Sequence, residues 1–134
     1  IWNVKLKSIT HILEGHEGPV YRLAFTPDNR FLITGGADGY IFYWHLETGQ
    51  EETRFKAQSD EIRALALSPD GLILATAGKD KLIHLWDTSS RQRLKELAGH
   101  NGAVFDLCFS PCGDYVVSAS ADQTVRYGLK TAKN

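Results

Sequence analysis

Between Gly15 and Phe55 the chain alternates short apolar runs with clusters of turn-forming residues. Val20, Leu23 and Phe25 lead into Thr26-Pro27-Asp28-Asn29, where proline presets φ for a turn. Phe31 to Thr34 is a second β-rich run, and Asp38-Gly39 is a tight hairpin signal. Tyr40-Ile41-Phe42-Tyr43-Trp44 makes a third run. Glu47-Thr48-Gly49-Gln50 marks the next turn, and a weaker fourth run ends near Phe55. Four short strands joined by tight turns predict an antiparallel meander.

The same order recurs further along. Strands are expected at Ile62 to Leu67, Ile73 to Thr76, Leu82 to Trp86 and Leu94 to Leu97, with turns at Ser68-Pro69-Asp70-Gly71 and Asp80-Lys81. A third round gives Val104 to Phe109, Tyr115 to Ser118 and Thr124 to Tyr127. No helical periodicity outcompetes these runs, so the fold class is all-β. The rounds superpose without a gap at an offset of 42 residues: His16, Gln58 and His100 share a column, as do Pro27, Pro69 and Pro111, and Asp38, Asp80 and Asp122. Trp2, Trp44 and Trp86 keep the same spacing.

Gly15-His16, Ser68-Pro69-Asp70-Gly71, Trp86-Asp87 and Gly99-His100 resemble the signature of WD40 repeats, whose period is about 40–45 residues, and the resemblance covers essentially the whole chain. It implies WD40-type β-propeller blades: three four-stranded antiparallel blades, an incomplete ring unless part of a larger chain or an oligomer. Residues 1–134 would then form one propeller segment. Residues 1–14 would be the end of a preceding repeat (Ile1-Trp2) and an outer strand (Ser8 to Leu13). Repeats would follow at 15–56, 57–98 and 99–134, the last lacking its outer strand.

The resemblance also implies a hydrogen-bonded bracing set in each blade. The first is His16, Thr34, Asp38 and Trp44. The second is Thr76, Asp80 and Trp86, with Gln58 in the histidine position. The third is His100, Ser118 and Asp122, with Gly128 where tryptophan is expected. The chemistry is coherent, because a buried carboxylate must be paired or hydrogen-bonded. A neutral imidazole donates to it while accepting from a hydroxyl, and the Gln58 amide can replace that donor. Gly128 should leave the third blade underpacked, with Tyr127 filling part of the space.

Composition narrows the function. With 15 basic and 16 acidic side chains there is no sign of a polyanion-binding surface. Apolar runs such as Leu72 to Ala77 are too short to cross a bilayer, and Lys5 and Lys7 interrupt the only candidate signal segment. Methionine is absent and the chain opens mid-repeat. This is read as a piece of a longer propeller; the other reading is self-assembly, in which copies lend their first strand to one another. Cys108 and Cys112 are expected to be free thiols in a reducing, intracellular compartment, cytoplasmic or nuclear.

The leading functional expectation is a non-catalytic protein–protein interaction scaffold. In the family, partners dock on loops between fourth and first strands and on second-to-third hairpins. By position these are Pro19, Tyr21, Ala37, Glu61, Arg63, Lys79, Ala103, Phe105 and Ala121. Tyr21, Arg63 and Phe105 stand out because aromatics and arginine are enriched among binding hot spots. The plainer reading has Tyr21 and Phe105 packing at the channel edge and Arg63 pairing with Glu61. Partners would be other proteins or peptides in a multiprotein assembly, together with remaining blades from a parent chain or further copies.

Catalysis is the least favoured class. His16 and His100 belong to bracing sets, His45 follows Trp44 where aspartate is usual, His84 lies mid-strand and His11 lies on the outer strand. No serine stands in a nucleophile elbow and no glycine-rich loop precedes a helix. No catalytic residue, metal or cofactor is therefore expected. Direct nucleic-acid binding is the alternative. It would need a basic stripe, but Lys5, Lys7, Arg91, Arg93, Lys95, Lys130 and Lys133 are scattered among acids such as Glu96.

Overall fold

The computed structural model describes residues 1–129. Lys130, Lys133 and the end of the third repeat lie outside the described residues. Thirteen strands follow one another: β1 (Trp2–Asn3), β2 (Ser8–Ile9), β3 (Val20–Phe25), β4 (Phe31–Gly36), β5 (Tyr40–His45), β6 (Glu51–Lys56), β7 (Ile62–Leu67), β8 (Ile73–Gly78), β9 (Ile83–Asp87), β10 (Arg93–Leu97), β11 (Val104–Phe109), β12 (Tyr115–Ser120) and β13 (Val125–Leu129). They form four antiparallel sheets, β1-β2, β3-β4-β5-β6, β7-β8-β9-β10 and β11-β12-β13. Two blades thus have four strands and the third has three among the described residues, an arc rather than a closed ring. No helix among the described residues is long and apolar enough to cross a membrane.

The turns explain why the meander repeats. The second turn of each blade places Gly39, Lys81 or Gln123 at positive φ. Lys81 and Gln123 carry a side chain into a region that L-residues disfavour. The preceding aspartate offsets that cost: Asp38, Asp80 and Asp122 each accept the backbone N–H two residues on, from Tyr40, Leu82 and Thr124, at 2.9–3.1 Å. In the first turn Thr26 and Ser68 donate to Asp28 and Asp70 at 2.6 Å. In the third blade Cys112 takes the aspartate place, its sulfur 3.3 Å from Ser110 Oγ. Cys108 and Cys112 are both free and exposed.

The core lies between blades. Ile33, Ile41 and Tyr43 of the first pack against Ala57, Ile62, Leu65, Leu74 and Trp86 of the second. Ala64, Ala75, Ala77, Ile83 and Leu85 of the second pack with Val104, Leu107 and Val116 of the third. Fully burying one such Ile or Leu contributes about 1.5–3 kcal/mol, so the middle blade, covered on both faces, is the most firmly held. The first blade's outward face is only partly covered: Ile1 and Trp2 border a cleft against it, and Val20, Leu23 and Phe25 remain 47%, 60% and 55% exposed. A polar clip supplements the first interface: the Arg91 guanidinium stacks 4.1 Å from the Tyr43 ring and bonds Glu52 at 2.6 Å. Burial there pushes the Tyr43 hydroxyl up to about 12.

The first strand pair differs from expectation in length. Instead of Ser8 to Leu13, β2 covers only Ser8–Ile9. Its ladder runs out where its partner does, at Ile1, which accepts from the Thr10 N–H at 2.9 Å and whose amino group donates to the His11 carbonyl at 2.7 Å. The register still marks it as the third-to-fourth strand hairpin of a blade. Trp2 faces Ile9 as Trp44 faces Glu51 and Trp86 faces Arg93, and Lys7, Gly49 and Arg91 hold equivalent positive-φ turn positions. Leu13, beyond the strand, packs on the Leu32–Phe42–Trp44 cluster.

Candidate functional site

One irregularity recurs in all three blades. The pairing of first and second strands slips between Val20 and Arg22, between Ile62 and Ala64, and between Val104 and Asp106. The extra residues are Tyr21, Arg63 and Phe105. A bulge leaves its extra residue out of the ladder and re-aims its side chain, so the three candidate hot spots owe their direction to the same backbone feature. Small residues opposite permit it. A Cβ on Gly36 would overlap the Pro19 carbonyl, and one on Gly78 the Glu61 carbonyl. Ser120 holds this place in the third blade, and its hydroxyl donates to Ala103 O at 2.9 Å.

The other rim candidates pair off across the bulge. Ala37, Lys79 and Ala121 donate their N–H groups to the carbonyls of Pro19, Glu61 and Ala103 at 2.9, 3.1 and 2.9 Å. The side chains form one connected polar group and one isolated ring. The Arg63 guanidinium lies 4.2 Å from the Tyr21 ring centroid, and it bonds Glu61 at 2.6 Å, with Lys79 3.5 Å from the same carboxylate oxygen. Arg63 and Tyr21 therefore act as one cation–π platform anchored by Glu61, combining the pairing expected of Arg63 with a stacking that was not foreseen. Phe105 stands 47% exposed. Arg22 was not among the candidates, yet it donates to Tyr21 O at 2.9 Å and Phe105 O at 3.3 Å, tying the bulges of the first and third blades together. Its equivalents, Ala64 and Asp106, carry no such group, so the repeat pattern holds no signal for it.

Behind the rim lie the bracing sets. His16 Nδ1 sits 2.9 Å from Asp38 and its Nε2 2.7 Å from Thr34 Oγ1, which accepts the Trp44 indole N–H at 2.9 Å. In the second blade the Gln58 amide donates to both Asp80 oxygens at 2.9 Å, Thr76 donates to Gln58 Oε1 at 2.7 Å, and the Trp86 N–H reaches Thr76 at 2.9 Å. In the third, His100 contacts Asp122 and Ser118, both at 2.7 Å. A Cβ built on Gly128 meets nothing within 4 Å. Tyr127 borders this space but, alternating with Gly128 along the strand, is 76% exposed with its ring 6.1 Å from that of Tyr115.

Two of these carboxylates are held below the usual range. For Asp38, burial pushes the pKa up but is outweighed by the N–H groups of Glu17 and Tyr40 and by His16. For Asp122, the Thr124 hydroxyl leads, joined by His100 and the N–H groups of Asn101 and Thr124. Groups depressed on folding stabilise fully above the unfolded carboxylate pKa of about 4 and lose that contribution as pH falls through the folded value. Urea midpoints should accordingly fall steadily from pH 5 toward pH 2, and Asp38→Asn with Asp122→Asn should flatten the slope. An equal slope in the double variant would assign the acid sensitivity elsewhere.

The remaining histidines are separate. His84 is buried between Ala57 O at 2.8 Å and Glu96 at 3.1 Å, and His45 lies 3.9 Å from Glu52. Among the described residues no group of three or more His, Cys, Asp or Glu side chains is placed to hold a metal.

Comparison with known proteins gives a consistent picture. The family model described as WD domain, G-beta repeat, matches residues 7–45, 49–87 and 91–127. Cilia- and flagella-associated protein 57 of Mus musculus is 40% identical over 43 residues, 32% of this chain and 3% of that protein. Ribosome biogenesis protein ERB1 of Chaetomium thermophilum is 42% identical over 50 residues, 37% of this chain and 6% of that protein. The crystal structure of the RRP9 WD40 repeats superposes with a TM-score of 0.86 at 29% identity, covering 89% of this chain and 38% of that one. The chain thus spans a small part of the curated relatives it matches.

Proposed function

This chain belongs to the WD40-repeat family, and from that premise we propose that its bulge-bearing rim, Tyr21, Arg63 and Phe105 with Glu61 and Lys79 beside them, is where it holds protein partners. Propellers of this family are typically non-catalytic scaffolds, and a general protein-interaction role follows from membership. The observation that carries the finer reading is the threefold recurrence of the bulge. It presents two aromatic rings and one arginine, the residue types enriched at binding hot spots, on rigid strands. For this purpose the chain divides into repeats at 15–56, 57–98 and 99–134, each with one bulge and one bracing set. The remaining blades of the ring would come from a parent chain or further copies. Free Cys108 and Cys112 support an intracellular setting.

The test is quantitative affinity purification from cells with the wild type and with Tyr21, Arg63 and Phe105 all changed to alanine, against a control variant, Lys95→Ala. Hot-spot truncation costs at least about 2 kcal/mol, so partner recovery should fall more than about tenfold in the rim variant alone. Recovery should survive nuclease treatment and half-molar salt. Equal recovery from all three proteins would remove the rim from the reading. Steep loss with salt would favour nucleic acid instead.

A further inference from the structure

Beside Gly128 lies a cavity of about 230 Å3, open on one side, lined by Ile83, Leu97, His100, Val116, Ser118, Arg126 and Tyr127 among others. The surroundings of Trp44 show what shape this is. Moving Leu13, Gly15, His16, Leu32, Thr34 and Phe42 along the chain by two repeats gives Leu97, Gly99, His100, Val116, Ser118 and Arg126, and each of those six lines the cavity. It is the mould of an indole ring whose ring has been deleted. An apolar cavity of about 150 Å3 is enough to hold benzene, so a bicyclic ring fits this one.

The mould retains its polar contact. In the first two blades the threonine oxygen accepts the indole N–H at 2.9 Å, while Thr34 Oγ1 lies 2.7 Å from His16 Nε2 and Thr76 donates to Gln58 Oε1 at 2.7 Å. In the third, His100 Nδ1 lies 2.7 Å from Asp122 and its Nε2 2.7 Å from Ser118 Oγ, which is also 3.4 Å from Arg126 O; with the ring proton on Nδ1 toward Asp122, Nε2 accepts the Ser118 hydroxyl. Ser118 is 2% exposed, and among the described residues no indole N–H reaches its oxygen. A buried acceptor therefore faces the cavity. Arg126 stands where Phe42 stacks on Trp44 at 5.2 Å, and a guanidinium over an electron-rich ring is attractive.

We infer that the Gly128 cavity is a binding site for one small, electron-rich aromatic heterocycle with an N–H donor, of the indole class. The ligand's ring occupies the tryptophan place between Leu97 and Val116, its N–H donates to Ser118 Oγ, and Arg126 covers one face.

The experiment is titration of the 134-residue chain with indole, followed by amide chemical shifts. Saturable shifts confined to Leu97, Val116, Ser118 and their neighbours are expected. Benzothiophene, which matches the ring without the N–H, should bind about fivefold more weakly for loss of one hydrogen bond, and Ser118→Ala should abolish that preference. Gly128→Trp should eliminate binding, and Gly128→Leu, a smaller plug, should do the same if the tryptophan variant does not fold. No saturable shifts, shifts spread over Val20, Leu23 and Phe25, unchanged binding in the plugged chain, or benzothiophene binding as tightly as indole would each overturn the assignment.

Discussion

Replacing Trp86 with alanine lowers the unfolding free energy by about 3–5 kcal/mol, the cost of a large ring removed from a packed core. The ring is 8% exposed, stands 4.8 Å from Phe55 of the first blade and 5.8 Å from His84, and donates to Thr76 at 2.9 Å. Its loss therefore opens a hole between two blades and leaves a hydroxyl without its donor. With a urea slope of about 1–3 kcal/mol/M for a small protein, the midpoint should move down by at least 1 M. The readout is urea unfolding followed by far-ultraviolet circular dichroism. A change under about 1 kcal/mol would mean that the interface between the first two blades collapses onto the hole, and the inter-blade cluster would lose its central place. Trp2, 68% exposed at the equivalent position, should tolerate the same change with little effect, because the benefit of the ring depends on a blade lying against it.

The strand order, the turns and the bracing columns were legible because each follows from a local residue type repeated at a fixed offset. Aspartate before a positive-φ residue reads as a hairpin whether that residue is Gly39, Lys81 or Gln123. The donor role of Gln58 was legible for the same reason: an amide carries both a donor and an acceptor, and the structure uses both. The bulges were not. Their signature is a slip in pairing between two strands, which neither strand shows alone, and Tyr21, Arg63 and Phe105 share no side-chain type. Alternation in β3 is also unreadable, since Val20, Leu23 and Phe25 lie on a face that only Ile1 and Trp2 border across an open cleft. The bridge from Arg22 to Phe105 O joins the first blade to the third, and contacts that skip a repeat leave no mark in the repeat pattern.

Thr76→Val is expected to cost about 2–4 kcal/mol, although it alters no volume to speak of. The hydroxyl is fully buried, donating to Gln58 Oε1 at 2.7 Å and accepting from Trp86 Nε1 at 2.9 Å. Valine strands both partners in the interior, and each buried group left unsatisfied costs about 1–3 kcal/mol. The comparison that tests this account is Ser118→Ala. There the hydroxyl serves His100 at 2.7 Å and no indole, so one buried partner is stranded instead of two and the penalty should be roughly half. Thr34→Val, which strands His16 and Trp44, should match Thr76→Val. Equal penalties at Thr76 and Ser118 in urea unfolding would mean that the indole N–H contributes nothing to the set. The tryptophans would then act in this propeller segment as apolar filling alone, and the blade lacking one would differ from its neighbours only by its missing volume.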